Sequence, residues 1–154
     1  MDIHKYVILV LVALAPGIEA RGAYPLAYAM GLETPFVFPL IYIASSLPAF
    51  PLIYGLRVFE DKIVYKVSLL KKVYEIAIKR VRSKAYRVAS HKLIFLALAL
   101  YVAIPLPGTG VWTGSLISYV LGLDKSKSLL AVLAGNLIAC TILYALVLLG
   151  ALIL

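Results

Sequence analysis

Long apolar stretches dominate this chain and limit what it can fold into. Hydrophobic residues make up 64% of its 154 residues, whereas charged residues make up only 14%. Soluble domains usually carry about 45–50% apolar and about 25% charged residues, so this chain has too few polar side chains to cover a surface that faces water. The composition predicts an all-α integral membrane protein with a single domain over residues 1–154.

The apolar runs fall into two length classes. About 20 helical residues are needed to cross the hydrocarbon of a bilayer. The runs 35–56 and 126–154 are long enough to span it. The segments 6–32 and 93–123 each contain two shorter runs separated by a break rich in proline and glycine. We therefore expect a re-entrant helical hairpin followed by one transmembrane helix, occurring twice.

A shift of 91 residues aligns two blocks of the sequence without a gap, which indicates an internal repeat. The pair Ala44-Ser45 in the first half corresponds to Gly135-Asn136 in the second. We assign repeat one to residues 6–56 and repeat two to residues 93–154. The identical positions are Pro16/Pro107, Gly17/Gly108, Tyr28/Tyr119, Gly31/Gly122 and Leu32/Leu123.

Positive charge is concentrated between the repeats, where residues 57–92 hold 11 of the 15 lysines and arginines. A basic segment beside apolar spans is typical of a cytoplasmic loop near anionic lipid, rather than of a nucleic-acid-binding surface. Its apolar residues recur every three or four positions, which predicts an amphipathic helix. With 57–92 cytoplasmic, the two repeats have opposite orientations. We expect an inverted repeat in a multi-pass protein of the inner (plasma) membrane.

The first hairpin tip carries two charged residues, Glu19 and Arg21, beside Gly17. An ionisable residue at mid-membrane depth indicates a functional site by default, because burying it there is costly. Two other interpretations remain open. The two side chains can pair with each other or with the second tip and simply hold the hairpin, or the hairpin is shallow and both reach water.

The second arm of each hairpin begins at its own tip, so we expect both helix N-termini to face the membrane centre. Their free N–H groups and the positive ends of their dipoles favour an anion. Arg21 adds a positive charge suited to phosphate or carboxylate, and Glu19 can take up a proton. Ser45 and Asn136 fall at equivalent positions on the spanning helices and would complete the polar lining, or else simply form hydrogen bonds between helices. The second-tip candidates are Pro107, Gly108, Thr109, Trp112 and Thr113.

Sequence motifs for enzyme chemistry are missing. The chain has no nucleotide-binding P-loop, no dinucleotide fingerprint and no HExxH zinc motif. The two histidines, His4 and His91, are isolated from each other in the sequence. We therefore expect a protein that is not an enzyme and that has no cofactor and no metal site.

The stretches PGIEARGAYP at 16–25 and IPLPGTGVWTG at 104–114 resemble the small multidrug export protein family of prokaryotes. Ala20 and Tyr24 depart from the family pattern, and neither departure affects Glu19 or Arg21. The family name implies drug efflux. The layout of hairpin and span is also similar in architecture to DedA-type lipid transporters, some of which move polyprenyl phosphate carriers. By that likeness, Glu19 and Arg21 would be the coupling and head-group residues.

These observations favour a proton-coupled transporter for an amphipathic, anionic, lipid-phosphate-like substrate that passes between the two tips. One alternative is efflux of cationic drugs, with Glu19 as the binding charge. Another is a membrane scaffold that transports nothing. Two spans and two half-spans form a small wall around a pathway, so we expect a homodimer surrounded by membrane lipids, with no nucleic-acid partner.

Overall fold

The computed structural model of the chain describes residues 3–32, 35–55, 93–106 and 108–153. The basic segment 57–92, where an amphipathic helix is predicted, and Pro107 lie outside these ranges. Every regular element among the described residues is helical. The elements are α1 (Ile3–Leu14), α2 (Glu19–Ala29), α3 (Val37–Ser46), a π-helix (Pro51–Gly55), α4 (Leu93–Ala103), α5 (Val111–Val120) and α6 (Lys125–Ile153).

Two helical segments of the described chain are long and apolar enough to cross a membrane, Val37–Gly55 with 19 residues and Lys125–Gly150 with 26. At 1.5 Å per residue they extend about 28 Å and about 39 Å. Helices α1 and α4 have 12 and 11 residues and reach only about 18 Å. The two length classes expected from the sequence are therefore present.

The first span is not a regular α-helix along its whole length. Helix α3 ends at Ser46, the chain turns at Leu47 and Pro48, and a π-helix begins at Pro51. Proline has no N–H to donate and its ring collides with the preceding turn, so two prolines three residues apart prevent regular pairing here. Helix α6, which has no proline, continues without interruption from Lys125 to Ile153.

The backbone repeats its turns at the 91-residue spacing. Gly17 and Gly108 have φ angles of +83° and +85°, and Gly31 and Gly122 have φ angles of +69° and +67°. After α2, the N–H of Leu32 donates to the carbonyl of Ala27 at 2.9 Å, and after α5 the N–H of Leu123 donates to the carbonyl of Ser118 at 3.0 Å. Both outgoing helices thus end in a Schellman motif, which favours glycine because its φ is positive.

Three contacts between the repeats join a residue to its own counterpart 91 positions later. The Tyr42 hydroxyl donates to the Leu133 carbonyl at 3.4 Å, and the Asn136 amide donates to the Ser45 hydroxyl at 2.9 Å. The third pair is Glu19 and Gly110, where a Cβ on the glycine would collide with the carboxylate. When two units are related by a two-fold rotation, residues near the axis meet their own counterparts.

Two apolar clusters pack the repeats together. One is built from α1, α2 and α3 with Cys140 of α6, and the other from α4, α5 and the first half of α6 with Ala49 and Ile53. Small residues allow close approach, since a Cβ on Gly135 would collide with the carbonyl of Ala99 in α4. The hairpins thus pack against both long helical segments, and the tips of the two hairpins contact each other.

Candidate functional site

The turn between α1 and α2 brings the Glu19 side chain into the interior. The N–H groups of Ile18 and Glu19 both donate to the carbonyl of Ala15, at 3.3 and 3.1 Å. Glu19 is the only described residue other than glycine with a positive φ, +50°. That conformation is unfavourable by about 1–3 kcal/mol for such a residue, so contacts made by the carboxylate must stabilise it.

The Glu19 carboxylate caps helix α5 of the other hairpin. Its Oε2 accepts a hydrogen bond from the backbone N–H of Val111 at 3.0 Å, and its Oε1 accepts one from the N–H of Trp112 at 3.2 Å. The N-cap position of α5 is Gly110, which has no side chain to cap with. A negative charge here also interacts favourably with the helix dipole. The cap residue is supplied from 92 positions earlier in the chain.

Arg21 completes the contact between the tips. Its Nη1 donates to Glu19 Oε2 at 3.0 Å, and its Nη2 donates to the Ile104 carbonyl and to Thr109 Oγ1, both at 2.9 Å. The side chain of Glu19 is 2% exposed and that of Arg21 is 12% exposed. The remaining guanidinium donor, Nε, is buried and has no hydrogen-bond partner.

Two further side chains stabilise the second tip. The Trp112 indole N–H donates to the Leu14 carbonyl at the end of α1, at 3.1 Å, which adds a second tie between the hairpins. The Tyr101 hydroxyl donates to the Gly108 carbonyl at 2.9 Å. The Thr109 hydroxyl lies within donating distance of the Ile104 carbonyl, at 2.6 Å. Side chains of the second hairpin therefore bind the carbonyls of Ile104 and Gly108 in this turn.

The structure brings together four of the predicted site residues, Glu19, Arg21, Thr109 and Trp112. Gly17 and Gly108 form the exposed turns of the two tips, and Thr113 follows Trp112 on α5 and is half-buried. The expectation that the N–H groups at the start of α5 are free for an external anion is wrong, because the protein's own carboxylate already occupies them.

The other two candidates, Ser45 and Asn136, form a second polar cluster between α3 and α6. The Asn136 amide donates to the hydroxyls of Ser45 and Ser46, both at 2.9 Å, and the Cys140 thiol lies 3.8 Å from the amide oxygen of Asn136. Ser45 and Asn136 are 0% and 2% exposed. They therefore bond to each other between helices.

Sequence reasoning missed the role of Gly110. It has the spacing of a helix-contact motif with Gly114, but its contact is with a charged side chain. A Cβ on Gly110 would collide with the carboxyl carbon and both oxygens of Glu19. The 91-residue repeat could have indicated this contact, since residue 110 is the counterpart of residue 19. Nothing in the sequence indicates that the backbone N–H groups of Val111 and Trp112 bind Glu19.

Two helical hairpins, the first with a charged tip, packed with two segments of membrane-spanning length are typical of a small helical membrane protein. Over residues 19–142 the sequence matches the family described as putative small multi-drug export protein, and the chain belongs to that family. The family is one of export proteins rather than of enzymes. Neither the curated proteins nor the solved structures compared with the chain gave a match.

Proposed function

We propose that this protein is a membrane transporter whose substrate site forms where the two hairpin tips meet. The observation that carries the proposal is the Glu19–Arg21 pair, which lies at the contact between the repeats and is largely buried. Charged groups inside membrane segments are expensive and mark substrate or ion pathways. A contact with only a packing role would be made more cheaply by apolar side chains.

The chemistry of Arg21 supports an anionic substrate. Only one of its bonds goes to a charged acceptor, the carboxylate of Glu19; the others go to the neutral oxygens of Ile104 and Thr109. A phosphate offers several charged oxygens to the planar guanidinium, which binds such groups through paired hydrogen bonds. A lipid phosphate that replaced the Glu19 carboxylate would meet Arg21 and the N–H groups of α5 together.

Proton coupling follows from competition between Glu19 and the substrate for the same donors. When Glu19 takes up a proton, its carboxyl group loses its charge and its attraction to Arg21 and to α5 weakens. The donors of Arg21, Val111 and Trp112 then become available to an anion. Release of the proton restores the ion pair and expels the anion. Protonation and substrate binding are therefore linked.

We propose that the two repeats are inverted in the plasma membrane, with segment 57–92 on the cytoplasmic side. The contacts of residues with their own counterparts support a two-fold relation between the repeats. An odd number of membrane crossings between equivalent points gives them opposite orientations. Inverted repeats that place broken helices at a central site are common in secondary transporters.

Flux in vesicles tests the proposal. The purified protein is reconstituted in liposomes with a fluorescent alkyl phosphate, and transfer between leaflets is followed with a membrane-impermeant reductant. Arg21→Ala is expected to abolish transfer, whereas Lys127→Ala, which removes an exposed positive charge outside the tips, leaves it intact. Glu19→Gln is expected to make transfer insensitive to an imposed pH gradient. Normal transfer by Arg21→Ala contradicts the anion site.

The family description names multi-drug export, which supports a second candidate, export of drugs that we take to be cationic. In that case Glu19 is the binding charge and Arg21 contributes little. Cells that carry Glu19→Gln would lose drug resistance, whereas cells that carry Arg21→Ala would keep it. The opposite pattern of sensitivity supports the anionic substrate.

The hydrogen bonds and the ion pair that Glu19 makes at the tip contact favour a third candidate, a membrane scaffold that transports nothing. Glu19 accepts three hydrogen bonds and its charge is paired, which is also what a purely structural lock requires. A double variant with both tip charges replaced, Glu19→Leu with Arg21→Met, would then be as stable as the parent or more stable. A transporter with this variant would fold but transfer nothing.

We also propose that the transporter is a homodimer. Large hydrophobic side chains on α6 are exposed, among them Leu130 at 68% and Leu146 at 57%. In a membrane such a face contacts either lipid or a second copy. Chemical crosslinking in native membranes, followed by mass determination in detergent, distinguishes a dimer from a monomer.

A further inference from the structure

An apolar groove opens beside the tip contact. It has a volume of about 610 Å³ and is lined by Leu14, Leu47, Pro48, Leu52, Gly55 and Trp112, together with Pro51. Pockets that hold small molecules have volumes of about 300–1,000 Å³, so the groove is of that size. Among the residues that the structure describes, no charged side chain lines it.

The irregular part of the first span creates this groove. Leu47 and Pro48 form the break after α3, and Leu52 and Gly55 belong to the π-helix. Gly55 adds no side chain, and a Cβ built on it meets no atom within 4 Å. A regular helix with larger residues would fill more of this space. Irregular backbone at membrane depth is tolerated where it is buried or lines a cavity.

The groove is continuous with the Glu19–Arg21 pair through Trp112. Trp112 lines the groove, and its backbone N–H donates to the same carboxylate that Arg21 binds. Leu14 lines the groove too, and its carbonyl accepts the Trp112 indole N–H. A ligand that replaced the Glu19 carboxylate would therefore have its polar group at Arg21 and its next atoms beside Trp112.

We propose that this groove binds the hydrocarbon chain of the transported substrate, and that the substrate is a single-chain lipid phosphate. The proposal rests on the proposed function, since the anionic site at Arg21 supplies the charge complementarity. In a bilayer, moving a chain from lipid into an apolar groove gains little, because lipid tails are as apolar as leucine. The head group must therefore provide the affinity, and the groove orients the chain.

The single tryptophan makes the groove directly observable, because Trp112 is the only one in the chain. The full-length protein is held in micelles of dodecyl maltoside and titrated with dodecyl phosphate that carries bromine at mid-chain, which quenches indole fluorescence on contact. Dodecyl maltoside with the same bromine substitution is the reference for non-specific detergent contact. We expect saturable quenching by the phosphate, beyond that given by the maltoside at equal mole fraction.

Three variants locate the binding. Arg21→Gln is expected to raise the half-saturating phosphate concentration about tenfold or more, because charge-assisted hydrogen bonds to the head group are lost. Gly55→Leu places a side chain in the groove and is expected to lose roughly half of the quenching, since close-packed space cannot hold both groups. Gly150→Leu is its matched control, because a Cβ there also meets no atom within 4 Å.

The outcomes separate this proposal from the proposed function. Equal quenching by phosphate and maltoside, or equal behaviour of Gly55→Leu and Gly150→Leu, overturns the groove as a chain site. If Gly55→Leu changes the oligomeric mass and no phosphate-dependent quenching is seen, the groove is a contact surface for a second copy of the chain. That result also overturns the groove as a chain site. If quenching is saturable and sensitive to Gly55→Leu but no phosphate crosses the vesicle membrane, the chain site stands and transport fails.

Discussion

Replacing Gly110 by alanine tests the contact between the tips without touching a charged residue. The new Cβ would collide with the carboxylate of Glu19, so the carboxylate must leave the N-terminus of α5. Two backbone hydrogen bonds, from Val111 at 3.0 Å and Trp112 at 3.2 Å, are then lost. We expect the variant to insert in the membrane but to unfold more readily.

The size of the effect follows from the bonds that are broken. Hydrogen bonds to a charged group contribute about 1.5–3 kcal/mol each, and disrupting one partner of a buried ion pair costs about 3–5 kcal/mol. The intrinsic difference between glycine and alanine at a helix N-cap is only a few tenths of a kcal/mol to about 1 kcal/mol. Steric displacement of Glu19 therefore dominates, and we expect a loss of about 3–5 kcal/mol.

The only cysteine provides the assay. Cys140 is fully buried, so a thiol-reactive fluorescent maleimide labels it only as the protein unfolds on heating in detergent. A chain of this length loses about 2–4 °C in Tm per kcal/mol, which predicts a decrease of about 10 °C for Gly110→Ala. Gly150→Ala, with open space around its Cβ, is the control and is expected to be unchanged or slightly stabilised.

A double variant checks that the clash is the cause. If Gly110→Ala acts by displacing Glu19, adding it to Glu19→Ala should reduce Tm little further, since the contact is already absent. Equal Tm values for Gly110→Ala and Gly150→Ala would refute the contact itself. Additive losses in the double variant would refute the explanation by displacement.

Four further substitutions have smaller expected effects. Asn136→Ala is expected to lower the free energy of unfolding by about 1 kcal/mol, because hydrogen bonds between membrane helices average about 0.6 kcal/mol and reach about 2. Unfolding followed by circular dichroism measures this loss. A loss as large as that of Gly110→Ala would contradict the reasoning. Trp112→Phe removes the hydrogen bond to the Leu14 carbonyl. It is expected to lower the free energy of unfolding, measured in the thiol assay, by about 0.5–1.5 kcal/mol. An unchanged Tm would mean that the indole hydrogen bond contributes nothing to stability. Gly31→Ala and Gly122→Ala should lose similar amounts, about 1–2 kcal/mol each, because both glycines end a helix at nearly the same positive φ; unequal losses would show that one turn is not needed.

Much of the fold was predictable because it depends on local chemistry and length. The size of the apolar runs separates segments that span from those that do not, and Gly17 and Gly108 mark the two tips. Gly31 and Gly122 mark the ends of the outgoing helices, where a positive φ excludes most other residues. The interrupted path of the first span was not predicted, although its prolines at 48 and 51 are visible in the sequence.

The sequence predicted which residues belong to the candidate site but not how they contact one another. Glu19, Arg21, Thr109 and Trp112 were selected by their charge and by their place in the breaks, and the structure brings them together. Their pairing was not predictable, since nothing local to Glu19 indicates that it caps a helix that begins at Val111. Nor did the small size of Gly110 indicate a carboxylate as its neighbour.

The sequence by itself determined that this chain belongs in a membrane, how many of its segments can cross, and where the two hairpins turn. These properties depend on hydrophobic length and on backbone torsions, which act within a few residues. Only the tertiary structure decided which donors the Glu19 carboxylate binds and that a groove opens beside Trp112. Those features arise where segments about 90 residues apart come within 3–4 Å of each other, and at that range partners are set by how the helices pack.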